Sequence, residues 1–276
     1  MTRPINAIIL RNLMKLKRDR MKLFFTLLMS GLFLFMFSFV TRATAPGLAN
    51  PTVYLFAGII IMTVFQSSLT NSMNILEDIS SGFMKEILVA PISRWEIAIG
   101  HTLSSAIISV IQGLVIVVVA MFMGLSINFI QGAAMLALMC LVGVTFSAMG
   151  LYFATIAKDS SNFQLLITVV SLPLTFLSGA YIPTMAMPGF LLPVVYLNPL
   201  TYTTAAFRFI SLRMEGMPIA EMVKAGVAFN INGFIVSPVI SMFIIAVMCA
   251  SFFTLCVNRF DNADFSTIKI WKRDHH

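Results

Sequence analysis

The side chains whose types could do chemistry fall in two short runs. One covers residues 74–96 and holds the acidic pair Glu77-Asp78, the pair Lys85-Glu86 and, beyond Pro91, Ser93, Arg94 and Glu96. The other, just upstream, is uncharged: Gln66, Ser67, Ser68, Thr70 and Asn71. Neither has the make-up of a reaction centre. The sequence contains no G-x-x-x-x-G-K-[ST] phosphate loop, no H-E-x-x-H and no G-x-S-x-G. Whatever energy the protein uses, this chain is expected to bind neither nucleotide nor metal, and the charged run has to act by contact and not by catalysis.

The elements around these runs are set by lipid as solvent. Hydrophobic residues make up 59% of the chain and charged residues 11%, against roughly 45–50% and about 25% in soluble domains. Charge-free runs long enough to cross a bilayer lie at about 23–40, 52–70, 97–123, 132–157, 163–182 and 234–257. None carries an Asp, Glu, Lys or Arg in its interior, so no proton relay or ion site is visible. The segments 1–22, 71–96, 158–162 and 258–276 carry 7, 2, 1 and 4 Lys and Arg, or 14 against 4 in the alternate segments. That bias places both termini in the cytoplasm. Ala43-Thr44-Ala45 has the look of a signal cleavage site, but the 18-residue run 23–40 exceeds the usual h-region of about 7–15, so the segment is expected to stay as the first span.

The net charge of +7 comes from residues that flank apolar spans, which favours anionic headgroups over nucleic acid as partner. Cys140, Cys249 and Cys256 lie in apolar stretches and read as free, buried thiols. With no repeat and no linker, residues 1–276 are expected to form one membrane domain. His275 and His276 end the chain and are either native or the remnant of a purification tag.

The charged loop 71–96 has local grammar of its own. Ser93 and Glu96 have the spacing of a capping box, and Ile92 with Ile97 that of a hydrophobic staple, so a helix should start at Arg94 with Trp95 at headgroup level. Pro91 should end a short helix over 83–89, and Gly82 should separate that helix from the second span. A short helix held between two capped boundaries is a lever; the alternative is an ordinary polar loop. At the N-terminus, Arg11, Lys15, Arg18 and Lys22 share one helical face, opposite Ile5, Ile9, Leu13 and Leu16. This reads as an interfacial amphipathic helix or, more simply, as a basic flank. Residues 183–233, rich in Met, Phe, Pro and Leu, should lie on or dip into the membrane.

Taken together, Glu77-Asp78 through Gly82, Lys85-Glu86-Ile87-Leu88, Ala90-Pro91-Ile92-Ser93-Arg94 and Gly100 resemble the cytoplasmic loop of the ABC-2 family of ABC transporter permeases. Leu177-Ser178-Gly179-Ala180-Tyr181-Ile182-Pro183, Met187-Pro188, Leu197-Asn198-Pro199-Leu200-Thr201-Tyr202 and Arg208 are similar to that family's region after the fifth span.

The resemblance implies an all-α membrane protein of six transmembrane helices, with an N-terminal interfacial helix, a cytoplasmic coupling helix and outer-leaflet re-entrant helices within 183–213. It implies that Glu77, Asp78, Gly82, Phe83, Lys85, Glu86, Pro91, Ser93 and Arg94 couple to a pair of separate ATPase subunits that bind ATP and Mg, and that a second permease subunit, expected to be identical, completes the transporter. Gln66, Ser67, Ser68, Thr70, Asn71, Asn198 and Tyr202 become candidates for the substrate pathway, the first five serving equally well as interhelical hydrogen bonds.

Export of an amphiphilic drug-like or lipid-like compound across the cell inner membrane fits the absence of interior charge and the 20 Met and 25 Phe residues. A polysaccharide or glycolipid exporter is the alternative. A secondary transporter would want an embedded carboxylate or an inverted repeat, and an intramembrane enzyme a polar cluster at membrane depth. Residues 214–233, longer and more apolar than a connector needs, are left without a role.

Overall fold

A long apolar run in hydrocarbon has to satisfy every backbone N–H and C=O within itself, and that requirement makes helix the default here. The computed structural model describes residues 2–44, 51–89, 92–157, 159–182, 184, 187–231 and 234–261. The chain is predominantly helical. In order come α1 (Thr2–Arg18), α2 (Arg20–Thr44), α3 (Pro51–Asn71), α4 (Asn74–Ser80), α5 (Phe83–Val89), α6 (Arg94–Phe122), α7 (Phe129–Ile156) and α8 (Ser160–Phe176). A 3-10 turn (Gly189–Leu191), α9 (Leu192–Leu197), α10 (Pro199–Ser211), α11 (Ile219–Lys224), the strands β1 (Phe229–Ile231) and β2 (Phe234–Val236), and α12 (Pro238–Asp261) follow.

Four helices are long and apolar enough to cross a membrane: α3 running on into α4 over Val53–Ser80, α6, α7 and α12. α1 and α2 meet at 70° and reach the length and apolarity of a span only when taken together. α8, with 17 residues, is apolar but spans only about 26 Å at 1.5 Å per residue, short of a hydrocarbon core of about 30 Å. Two expected boundaries need correction. The fifth run, expected to reach residue 182, ends as helix at Phe176, because the chain turns through Gly179 at φ 78° and the carbonyls of Gly179 and Ala180 go to Arg208. The sixth, expected from 234, starts as helix at Pro238; residues 234–236 pair antiparallel with 229–231, Asn230 opposite Ile235, so a small hairpin interrupts the all-helical plan.

The core is the triad α3, α6 and α7, with α12 and α10 packed on it, while α2 and α8 lie at the periphery. Small residues let the triad approach closely: a Cβ on Gly113 would lie 2.5 Å from both Met139 and Val64, and one on Gly150 would lie 2.6 Å from the Ser72 hydroxyl. α2 turns Phe24, Phe35, Met36 and Phe39 outward, the surface expected of a helix bathed in lipid. The three cysteines are free, but the expectation that all are buried holds for Cys256 alone; Cys140 is exposed and Cys249 half-buried. Apolar surroundings in such a chain are supplied by lipid as readily as by protein. Residues 214–231 fold back onto α10: Met214, Ala225 and Val227 cluster against Phe209 and Leu212, and Phe229 packs on Tyr202. That packing accounts for their apolar character.

Candidate functional site

The charged loop and the N-terminal helix form one structure. α4 ends where Gly82 adopts φ 81°, a left-handed conformation natural to glycine, and α5 begins at the next residue. α6 begins at Arg94, where the Glu96 carboxylate accepts the Ser93 N–H at 3.0 Å and the Ser93 hydroxyl at 2.7 Å. Ile92 and Ile97 both pack into the core. One turn before the first of these boundaries sits Asp78, 2% exposed on α4. Arg11 of α1 donates to one of its carboxylate oxygens, and Lys15 approaches the other at 3.2 Å and Glu77 at 3.7 Å. The Arg11 guanidinium also lies 4.5 Å from the centre of the Phe83 ring on α5, a cation–π contact.

One side chain of α1 therefore grips the end of the α3–α4 helix and the short helix α5 at once. α1 is fixed in turn to α6, where Asn12, 1% exposed, donates to the Ser104 hydroxyl at 2.7 Å and Ile8 sits against Gly100. Buried His101 lies with Nε2 3.6 Å from Asp78, beyond hydrogen-bond reach.

The cationic stripe expected on α1 is thus divided. Arg11 and Lys15 face Asp78, Arg18 is exposed at the helix end, and Lys22 belongs to α2 beyond the break at Asp19, its side chain outside the described positions. The buried face of α1 runs through Ile8, Asn12 and Leu16; of the expected Ile5, Ile9, Leu13 and Leu16, Leu16 is buried and the other three are half-buried, because the contacts of Arg11 and Lys15 with Asp78 turn their side of the helix towards the protein. Glu77 and Glu86 are exposed, Phe83 is half-buried, and Pro91, Pro183, His275, His276 and the Lys85 side chain lie outside the described positions. Asn12 and Ser104 escaped the sequence reading; their only signal was the i, i+4 run of Ile8, Asn12 and Leu16.

Ser67 and Ser68 of the uncharged run are engaged between helices. Ser68 donates to the Val64 carbonyl at 2.7 Å and meets the Ser109 hydroxyl of α6 at 2.8 Å; Ser67 donates to Gln112 of α6, and Asn71 donates to Ser67 at 2.9 Å. Ser72 reaches the Ser147 carbonyl on α7 at 3.1 Å. The bonds that cross to α6 and α7 form a polar seam through the triad, each worth about 0.6 kcal/mol in a membrane. Gln66 is exposed and Thr70, which donates to the Gln66 carbonyl at 2.9 Å, lies beside it half-buried, so these two stand on the outward face of α3. Asn198 caps α10 through Leu200 N–H at 2.9 Å and donates to the Leu174 carbonyl at 2.7 Å, and the Tyr202 hydroxyl donates to the Tyr196 carbonyl at 2.5 Å.

A second fixture holds α10 at the other end of α3. Arg208, 1% exposed, donates to the carbonyls of Gly179 at 2.7 Å and Ala180 at 2.8 Å, and its guanidinium stacks 3.5 Å from the Tyr54 ring centre. Among the described residues no carboxylate pairs with it. Two carbonyl dipoles and a ring face take that place, which suits the delocalised, weakly hydrated guanidinium better than an ammonium. A Cβ on Gly58 would lie 2.3 Å from the Ala180 oxygen, so α3 runs directly beneath this turn.

A bundle of apolar helices with a polar seam, a charged short-helix loop at one end and broken helices folded onto the other defines a multi-pass membrane permease. A family model described as "ABC-2 type transporter" matches residues 3–212, from α1 to the end of α10, and the chain belongs to that family. A transport permease named ycf38 from Porphyra purpurea is 35% identical over 161 residues, 57% of this chain and 55% of that protein. The Inner membrane transport permease YadH of Escherichia coli (strain K12) is 24% identical over 193 residues, 66% of this chain and 72% of its own. The Probable multidrug ABC transporter permease YbhR of the same strain is 22% identical over 162 residues, 58% and 44% of the two chains. The match spans about half the length of the ycf38 relatives.

Proposed function

We propose that this chain is the transmembrane permease subunit of an ABC exporter, moving an amphiphilic drug-like or lipid-like substrate out of the cytoplasm or inner leaflet. α2, α3–α4, α6, α7, α8 continued by the turn over 177–182, and α12 are its six spans, in the cell inner membrane with both termini cytoplasmic, a reading supported by the 14-to-4 distribution of Lys and Arg. ATP and Mg are bound by a pair of separate ATPase subunits, and a second copy of the permease completes the transporter. α9 and α10 are the re-entrant helices, consistent with their brevity and the prolines that open or interrupt them.

The observation that carries the reading is the junction at Asp78. α5 is joined at Gly82 to α4 and by Arg11 to α1, and the Ser93–Glu96 box fixes the start of α6, the next helix in the chain. A displacement of α5 by a docked ATPase reaches α4 through the backbone at Gly82 and α1 through Arg11. Exposed Glu86 on α5 meets the ATPase, and Gln66 and Thr70, on the outward face of α3, meet the cargo.

The test is co-expression with the ATPase subunit. The purified chain alone should hydrolyse no ATP, the complex should, and Glu86→Arg should lower substrate-stimulated hydrolysis about five- to tenfold, the cost of reversing one interface charge. Transport by the chain with no ATPase present would end the proposal.

A further inference from the structure

The division of the cationic stripe on α1 leaves one group of charges with no counterpart among the described residues. Lys17, Arg18 and Arg20 surround the 70° elbow between α1 and α2 and, with Met14, line an open cleft of about 500 Å³. Among the described residues none of the three forms an ion pair or hydrogen bond, in contrast to Arg11 and Lys15 one turn earlier. Asp19, the acidic residue of the elbow, is itself engaged.

Next to the charges the surface turns apolar. Met14 is 50% exposed, and Met21, Phe24 and Leu28 are 60%, 56% and 41% exposed. The last three stand at i, i+3 and i+7 on α2, a single stripe that leads away from the cations along the helix. Three unpartnered cations around a cleft, continuous with an exposed apolar stripe, form the complement of an anionic head joined to acyl chains. Neither a soluble phosphate nor an acidic peptide needs the stripe.

We propose that the elbow binds the headgroup of an anionic glycerophospholipid through Lys17, Arg18 and Arg20, with its chains along Met21, Phe24 and Leu28. The site rests on the reading of α1 as a helix at the cytoplasmic membrane surface. It also has a consequence for coupling. Arg18 stands seven residues from Arg11, about 10 Å along one uninterrupted helix. A lipid that fixes the Arg18 end of α1 fixes the angle at which Arg11 reaches Asp78 and Phe83, so the bound headgroup braces the contact between α1 and α5.

The experiment is native mass spectrometry of the purified full-length chain incubated with equal amounts of phosphatidylglycerol and phosphatidylcholine. Each cation near an anionic lipid contributes about fivefold, so wild-type protein should retain phosphatidylglycerol preferentially, and Lys17→Gln, Arg18→Gln, Arg20→Gln combined should weaken that retention by roughly a hundredfold at low salt. Arg259→Gln, which removes a cation from the end of α12, should leave it unchanged.

Equal retention by wild type and the triple variant overturns the site, and so does displacement of phosphatidylglycerol by inorganic phosphate, which would make it a phosphate site. A fluorophore at Asn6 in liposome-reconstituted protein separates the two levels of failure. A label in bulk water refutes the interfacial placement of α1 and the site with it. A label at the membrane surface without phosphatidylglycerol preference refutes the elbow site alone.

Discussion

Replacement of Arg11 by Met removes a side chain that touches both α4 and α5. The Asp78 side chain is 3% exposed, so its carboxylate has almost no water to fall back on, and loss of a partner from a buried pair costs about 3–5 kcal/mol. Two features reduce that figure here. Arg11 is 25% exposed and so already partly hydrated, and Lys15 at 3.2 Å remains as a second, 43% exposed cation. The ring contact with Phe83 adds about 0.5–1 kcal/mol. The expected loss is about 2–3 kcal/mol, a fall in melting midpoint of about 4–12 °C for a chain of this size.

Asp78→Asn keeps an acceptor for Arg11 but not the charge, and should cost about 1–2 kcal/mol. In the double variant most of the second loss disappears, leaving a coupling energy of about 1–2 kcal/mol between the sites. The assay is reversible unfolding of the purified chain in mixed detergent for the four members of the cycle, with substrate-stimulated ATPase activity of the reconstituted complex measured in parallel. Additivity within about 0.5 kcal/mol refutes the coupling argument. Stability lost with coupled hydrolysis unchanged would mean that the contact holds α1 in place without transmitting movement of α5.

Two further outcomes test the packing that carries this loop. Gly150→Ala places a methyl 2.6 Å from the Ser72 hydroxyl and 3.0 Å from the Leu69 carbonyl, and should cost about 1–3 kcal/mol; Gly31→Ala, with nothing within 4 Å, should change stability by less than about 0.5 kcal/mol in the same unfolding titration. Arg208→Lys cannot hold both the Gly179 and Ala180 carbonyls or stack as a plane on Tyr54. It should cost about 1–3 kcal/mol and make residues 177–182 sensitive to limited proteolysis, and an unchanged cleavage pattern would argue against Arg208 as the anchor of that turn.

Much of the loop was legible because its signals are local. Gly82 as a break, the short helix over 83–89 and the start at Arg94 depend on backbone conformation and capping within four residues, and the structure places each at the expected position. Where helices end against distant groups, the reading was less accurate. Gly179 and Ala180 looked like the tail of an apolar span, yet their carbonyls belong to Arg208, 29 and 28 residues further on. Phe234 and Ile235 looked like the head of another, yet they pair with residues before the turn.

Hydropathy and the placement of Lys and Arg, properties of the chain in lipid whatever its partners, were enough to determine that this is a multi-pass membrane protein and roughly where its helices lie. The motifs determined its family. Tertiary structure decided which polar residues are held inside and which are offered outward: Ser67 and Ser68 turn to α6 while Gln66 turns away, and Arg11 and Lys15 turn to Asp78 while Lys17, Arg18 and Arg20 do not. Helical periodicity assigns neighbouring residues to different faces, but the identity of what each face meets is fixed only when another helix supplies the carboxylate, the hydroxyl or the empty space.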